Sequence, residues 1–337
     1  MTLPRFAAAA LGLFLLGAGP AAAAEDDYDQ PEFGKSAIPI VGYDDKSGWL
    51  YGAAGFLYSD KEPGVNAGLF VVSNLGNFNS ATFNFELRSK GPWSWSLHLL
   101  GERAFDLYYG EGDLTPAQDP LLIHMAHFEA KPSLFYRFLP HLRAGPYIDF
   151  RARVETGSQV FPNEASGALG LSVQWDTRDK INNTRKGDFL QLNAERDPSL
   201  GGFSQANVDL RRFLRLSRAL TLGSRLEAGT SWGQPSYLYE YRLGGLDVLR
   251  GYKDNRFRGV EFFASEEELR WILRKWLSVN VSVDAGDIKS DAYHQLKTTF
   301  QAGLRVGLPP DWGQKMRIDF GVGADQDTFQ IQFGEVF

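Results

Sequence analysis

The sequence predicts an all-β protein, a transmembrane antiparallel β-barrel of sixteen strands. Three observations carry that expectation. Apolar and polar residues alternate with a period of two through most of the chain, which is the spacing of strands and not of helices. After residue 24 no apolar stretch is long enough to form a membrane-spanning helix. The connections between alternating segments are short on one side and include the longest ones on the other, the asymmetry expected of a single-chain membrane barrel.

The N-terminus is set apart from this pattern. In residues 1–24 Arg5 is the only charge, Phe6 to Gly17 is an apolar run too short to span a bilayer, and Ala22-Ala23-Ala24 offers a small-residue cleavage site. Residues 1–24 are therefore expected to be a cleaved signal peptide, residues 25–36 a short periplasmic segment, and residues 37–337 the barrel. The whole chain carries 35 Lys and Arg against 41 Asp and Glu. Losing Arg5 changes the formal charge from −6 to −7, which argues against a nucleic-acid partner. With no cysteine there is no disulfide, thiolate metal site or lipid-modified cysteine. No cofactor is expected.

Sixteen segments follow in order: roughly 37–44, 47–58, 66–73, 79–89, 93–103, 122–137, 142–154, 168–175, 187–196, 203–213, 219–231, 262–272, 276–285, 296–306, 315–323 and 327–337. In the seventh, Ile148, Phe150, Ala152 and Val154 alternate with Asp149, Arg151 and Arg153. In the thirteenth, Val279, Val281 and Val283 alternate with Asn280, Ser282 and Asp284. Most segments are near the ~9–11 residues that cross a bilayer at a tilt. With the N-terminus in the periplasm, turns such as Leu139-Pro140-His141 and Arg274-Lys275 are periplasmic. The two longest connections, near 104–121 and 232–261, are then extracellular. Trp93, Trp95, Tyr108, Tyr109, Trp271, Trp276 and Trp312 sit near segment ends, as interfacial girdles do. A soluble sandwich fits less well, because so many alternating charges would be buried without water. The chain closes on an alternating strand with Phe333 and the terminal Phe337, the form of a C-terminal assembly signal, although Glu335 stands where an apolar residue is usual.

One stretch breaks the alternation. Tyr241 to Gly259 carries Gly244, Gly245, Gly251 and Gly259, the run Leu246-Asp247-Val248-Leu249, and then Arg250-Gly251-Tyr252. Glycines allow tight turns and close backbone approach, the apolar run and Tyr252 need something to pack against, and a guanidinium favours a carboxylate partner. Composition alone would equally suit a Gly-rich surface loop.

LGGLDVLRGY at 243–252 resembles the sixth-loop motif of the BamA/TamA superfamily of outer-membrane proteins, the bacterial surface antigen family. Asp176-Thr177-Arg178-Asp179 with Gly187 resembles the hairpin before that family's ninth strand, and Asp284-Ala285-Gly286 its thirteenth. Gly303-Leu304-Arg305 and Arg317-Ile318-Asp319-Phe320-Gly321 are similar to the closing strands. The resemblance implies sixteen strands and a sixth loop folded into the lumen, where its arginine pairs with an acid on the wall. By parity Asp284, Glu268 and Arg270 point inward. Asp284 is the first candidate for the partner of Arg250, with Glu268 and Asp319 as alternatives and Gly251 and Tyr252 completing the loop–lumen lock. Asp176, Arg178, Asp179 and Gly187 are expected to build a structural turn.

Family members that insert or secrete proteins carry polypeptide-transport-associated domains, and only about a dozen residues precede the first segment here. Client capture by that route is not expected. The expected function is a barrel-only, plugged or narrow channel acting in translocation or membrane assembly. Its expected partners are outer-membrane phospholipid and lipopolysaccharide, the barrel-assembly machinery during biogenesis, and a separate periplasmic protein. An outer-membrane enzyme of phospholipase or protease type is the alternative, and a general porin a further one. The five histidines, His98, His124, His127, His141 and His294, show no pairing that suggests catalysis or a metal; His124 and His127 fall on opposite strand faces. No catalytic residue is expected.

Overall fold

The computed structural model describes residues 33–44, 48–59, 63–112, 120–156, 161–181, 183–198, 202–233, 235–245, 248–289, 295–307, 315–324 and 327–333. The signal peptide expected at 1–24 lies outside these residues. So do Trp312 and Phe337.

Eleven strands run from the N-terminus to the long loop: β1 (Phe33–Asp44), β2 (Gly48–Ser59), β3 (Gly64–Ser73), β4 (Asn79–Arg88), β5 (Trp93–Tyr108), β6 (Leu121–Leu139), β7 (Leu142–Glu155), β8 (Glu164–Asp176), β9 (Gly187–Asp197), β10 (Phe203–Arg215) and β11 (Leu220–Trp232). The loop holds two short strands, β12 (Tyr241–Leu243) and β13 (Phe257–Gly259), which pair with each other. Five strands complete the wall: β14 (Glu261–Arg274), β15 (Leu277–Lys289), β16 (Lys297–Gly307), β17 (Lys315–Val322) and β18 (Asp327–Phe333). All sixteen wall strands form one antiparallel sheet in sequence order, with β1 and β18 as its two ends. The sixteen expected segments correspond one to one with these strands.

The sheet curls into a barrel, because one loop touches walls far apart in the strand order. Tyr237 bonds to Asp106 of β5, while Gln330 of β18 donates to the carbonyl of Gly245. Period-two alternation then separates two faces. Leu169, Leu171, Val154 and Phe320 point outward and are largely exposed, whereas Asp149, Arg153, Ser172 and Asp319 point inward and are buried. An apolar outer face and a polar lumen are what a barrel wall in lipid requires.

Aromatics reinforce the outer face at the short-turn end. Trp93 packs edge-on to Tyr136 at 5.0 Å and Tyr136 to Phe138 at 5.0 Å, and Trp95 and Trp276 are exposed beside the same kind of turn. Two expected girdle residues belong elsewhere. Tyr108 packs on Phe161 and Tyr237, and Tyr109 is buried under the Arg256 guanidinium. Both serve the long loop, because β5 and β6 extend to Tyr108 and Leu121 and carry these rings beyond the expected strand end.

Candidate functional site

The long loop between β11 and β14 descends into the barrel and is anchored on the β14–β15 wall. In that pair Glu266 stands opposite Asp284 and Glu268 opposite Ser282, so all four side chains share the inner face. Arg250 is fully buried there. Its backbone N–H donates to Asp284 Oδ2 at 3.0 Å, its Nη2 to Asp284 Oδ1 at 3.2 Å and to Ser282 Oγ at 3.2 Å. The same guanidinium forms an ion pair with Glu266. Asp284 also accepts from Gln301 of β16. A planar guanidinium can face two carboxylates at once, which keeps neither of these buried acids without an opposite charge beside it.

The backbone around Arg250 explains the motif's small residues. Leu249 is buried in the left-handed region at φ 54°, and Gly244 and Gly245 are at φ 99° and 113°. A Cβ on Gly251 would lie 2.8 Å from Gly323 N and Val322 C, so a larger residue would push the loop off β17. Gly321 faces it, since a Cβ there would collide with the Arg250 carbonyl. Tyr252 lies in an apolar cluster with Leu243, Leu249, Phe257, Ala264 and Ile288, edge-on to Phe257 at 5.1 Å. Of the apolar run before Arg250, Leu246 and Asp247 lie outside the described residues.

The two alternative acids have other principal partners. Glu268 accepts from Arg305 Nη2 at 2.7 Å and Arg270 Nη2 at 2.8 Å, and stands 4.0 Å from Arg250 Nη1. Asp319 accepts from Arg305 Nη1 at 2.6 Å and Arg317 Nη2 at 2.8 Å. The lock is thus one end of a ladder of charge: Arg250, held by Glu266 and Asp284, then Glu268, Arg305, Asp319 and Arg317. Sequence reasoning missed Glu266. Parity with Glu268 and Arg270 places it on the inner face.

A second anchorage, also missed, holds the loop to the far wall. Arg258 pairs with Asp106 of β5, and the hydroxyl of Tyr237 donates to Asp106 Oδ2 at 2.7 Å. The Arg258 guanidinium lies 4.0 Å from the centre of the Tyr237 ring. Arg151 of β7 donates to the Leu238 carbonyl at 2.6 Å, and Tyr239 OH donates to the Asp149 carbonyl at 3.0 Å. Between the anchors, burial and the nearby Glu111 raise the Glu240 carboxyl to about 7, against the pull of Arg258 and Arg242. Burial also pushes the Tyr237 and Tyr239 hydroxyls up.

The turn between β8 and β9 supports the lumen from the other end. Arg178 Nη2 donates to Asp176 Oδ2 at 2.7 Å, and Asp179 Oδ1 accepts the backbone N–H groups of Lys180, Arg185 and Lys186. Gly187, at φ 109°, leaves no room for a Cβ against the Thr177 carbonyl. The turn carries Asn183, whose Oδ1 accepts from Arg270 at 3.4 Å, so it joins the charge ladder from below. Phe333 ends β18. Among the described residues no His, Asp and Glu cluster is arranged to hold a metal. A vestibule of about 340 Å³ opens on the short-turn side, lined by Asn84, His98, Lys131, Arg143, Gln174 and Asn193 among others.

No protein-family model and no curated protein matches the sequence. The fold is similar to solved structures. BamA from Haemophilus ducreyi lacking POTRA domains 1–3 aligns with TM-score 0.60 and 12% identity over 89% of this chain and 69% of that one. CdiB from Acinetobacter baumannii gives 0.54 and 13% over 90% and 58%, and CdiB from Escherichia coli 0.62 and 11% over 91% and 62%. At these identities the likeness is one of fold: this chain is a sixteen-stranded barrel of the kind seen in BamA and CdiB. It spans less than two thirds of either CdiB chain.

Proposed function

We propose that the chain is an integral outer-membrane barrel whose in-folded loop keeps its lumen closed, a plugged channel working in translocation or membrane assembly. The observation that carries this reading is the seating of Arg250 between Asp284 and Glu266, deep on the inner wall. An apolar outer face, a charge-paired lumen and a vestibule lined by residues of the wall strands are its support. The likeness to BamA and CdiB adds the fold and leaves the cargo open. Phospholipid and lipopolysaccharide surround the barrel, the barrel-assembly machinery inserts it, and a separate periplasmic protein supplies client contact. We read it as non-enzymatic: the lumen imidazoles face carboxylates and an amide, with His127 on Glu102 and Glu129 and His98 on Asn84.

Single-channel recording of the refolded mature chain tests this. The wild-type barrel should stay closed or pass small, brief currents, and Arg250→Ala should raise conductance or its noise. A steady open current of the same size in both would refute the plug.

A further inference from the structure

We propose that the outer face of β9, β10, β11 and β14 is a contact surface for a second copy of this chain. Four polar side chains stand opposite one another in register across these strands: Asp188, Arg212, Ser224 and Glu267. They share the outward parity of Leu210, Leu214, Leu226 and Val283, which are exposed. Glu267 lies at the middle of β14, with Phe263 and Trp271 four residues to either side on the same face. Its neighbours Glu266 and Glu268 point inward and are 1% exposed, whereas Glu267 is exposed.

Contacts within one chain match this row only in part. Ser224 Oγ donates to Glu267 Oε2 at 2.6 Å, a neutral donor on a carboxylate. Arg212 Nε stands 3.7 Å from Asp188 Oδ1, and their side chains are 65% and 48% exposed. On the membrane reading given above this face meets lipid, where an ionised side chain at mid-strand is costly without an opposite charge. Leucines alone do not draw two barrels together there, because lipid tails are equally apolar; polar contacts and close packing do.

The row is complementary to itself, which selects a second copy as the occupant. Ser224 lies between Arg212 and Glu267, one strand from each. A two-fold axis along the membrane normal and beside Ser224 sets Arg212 of each copy against Glu267 of the other, the reciprocity an isologous interface requires. Two strand spacings of ~4.8 Å at a tilt of ~40° offset these residues by about 6 Å in height, which an extended arginine spans. The contact thus gains two ion pairs out of water, with Leu210, Leu226 and Val283 packed around them.

The sequence has no cysteine, so Ser224→Cys introduces a single thiol at the position that meets its own copy. With the refolded mature chain in phosphatidylcholine vesicles, oxidation by copper phenanthroline should link Ser224→Cys into dimers. Leu69→Cys, on the exposed face of β3, should stay monomeric. Sedimentation in a density-matched detergent should show a wild-type dimer. Arg212→Glu and Glu267→Arg should each weaken it roughly tenfold or more, since each sets like charges face to face. Combining the two should restore part of the affinity, with Asp188 limiting the recovery. Heat-modifiable mobility checks every barrel, and if Glu267→Arg fails to refold, Arg212→Glu and Glu267→Gln decide by weakening the dimer or not. A monomeric wild type, a dimer unchanged in the single variants, no recovery in the double change, or equal linking at Leu69→Cys overturns the proposal. No current is recorded, so a failure here leaves the plug reading standing, and a leaky wild-type barrel leaves this face standing.

Discussion

Removing the Arg250 guanidinium should unseat the loop without preventing barrel formation. Arg250, Asp284 and Glu266 are each at most 1% exposed. Taking away one member of such a buried pair costs ~3–5 kcal/mol. Arg250→Ala should lie at the upper end, because Glu266 and Asp284 are register partners and would face each other as like charges. Asp284→Ala should cost less, since Arg250 keeps its ion pair with Glu266. The charged hydrogen bonds lost in that variant are worth roughly 1.5–3 kcal/mol. In Arg250→Ala/Asp284→Ala the repulsion is gone, so the double change should fall short of the summed singles by ~0.5–3 kcal/mol. Arg250→Lys should rescue only in part, because a point charge cannot span both acids as a fork does. The assay is hydrogen exchange at the loop amides from Leu249 to Phe257, with heat-modifiable mobility as the check on the barrel. A loss of 3–5 kcal/mol lowers protection by roughly two to four decades. Strictly additive effects, or unchanged protection in Arg250→Ala, would show that this contact does not hold the loop.

Three further outcomes follow from the same geometry. Tyr237→Phe should leave Asp106 paired with Arg258 but remove two hydrogen bonds, one donated to Asp106 and one accepted from Arg258 Nη2, weakening the far anchorage by ~1–3 kcal/mol, whereas Arg258→Ala should release it, as read by protease cleavage within the loop. Gly321→Ala should displace the loop through its clash with the Arg250 carbonyl, giving an Arg250→Ala-like exchange pattern with every charge still present; wild-type protection would refute the close approach. Glu240, raised to about 7, holds its proton in the seated loop over a range where an unseated loop has lost it. Its contribution is therefore present below the ordinary carboxylate pKa and is lost as pH rises through about 7. Loop protection should decline between pH 5 and 8, and Glu240→Gln should flatten that decline.

The sixteen strands were legible because one property, period-two alternation, runs through every strand of a wall with an apolar outer face and a polar lumen. The same alternation placed Asp284 and Glu268 on the inner face before any contact was known. It could not choose among them, because parity fixes a direction and not a height along the barrel. Arg250 meets Asp284 and Glu266 because the loop descends only to their level, and that depth is set elsewhere: by Tyr252 in its apolar cluster, by Gly251 against β17, and by Arg258 and Tyr237 on β5. Those last contacts join residues more than a hundred positions apart and leave no periodic trace. Tyr108 and Tyr109 show the limit from the other side. Aromatics at a strand end suit a lipid interface, but the same rings suit a loop-facing cluster equally well, and only the length of β5 and the position of Arg256 and Tyr237 decide between them. The loop is therefore braced between opposite walls, and breaking the Arg250 anchor alone should free its tip while the limb near Tyr237 to Tyr239 stays seated. Exchange that rises evenly along the whole loop in Arg250→Ala would contradict that division.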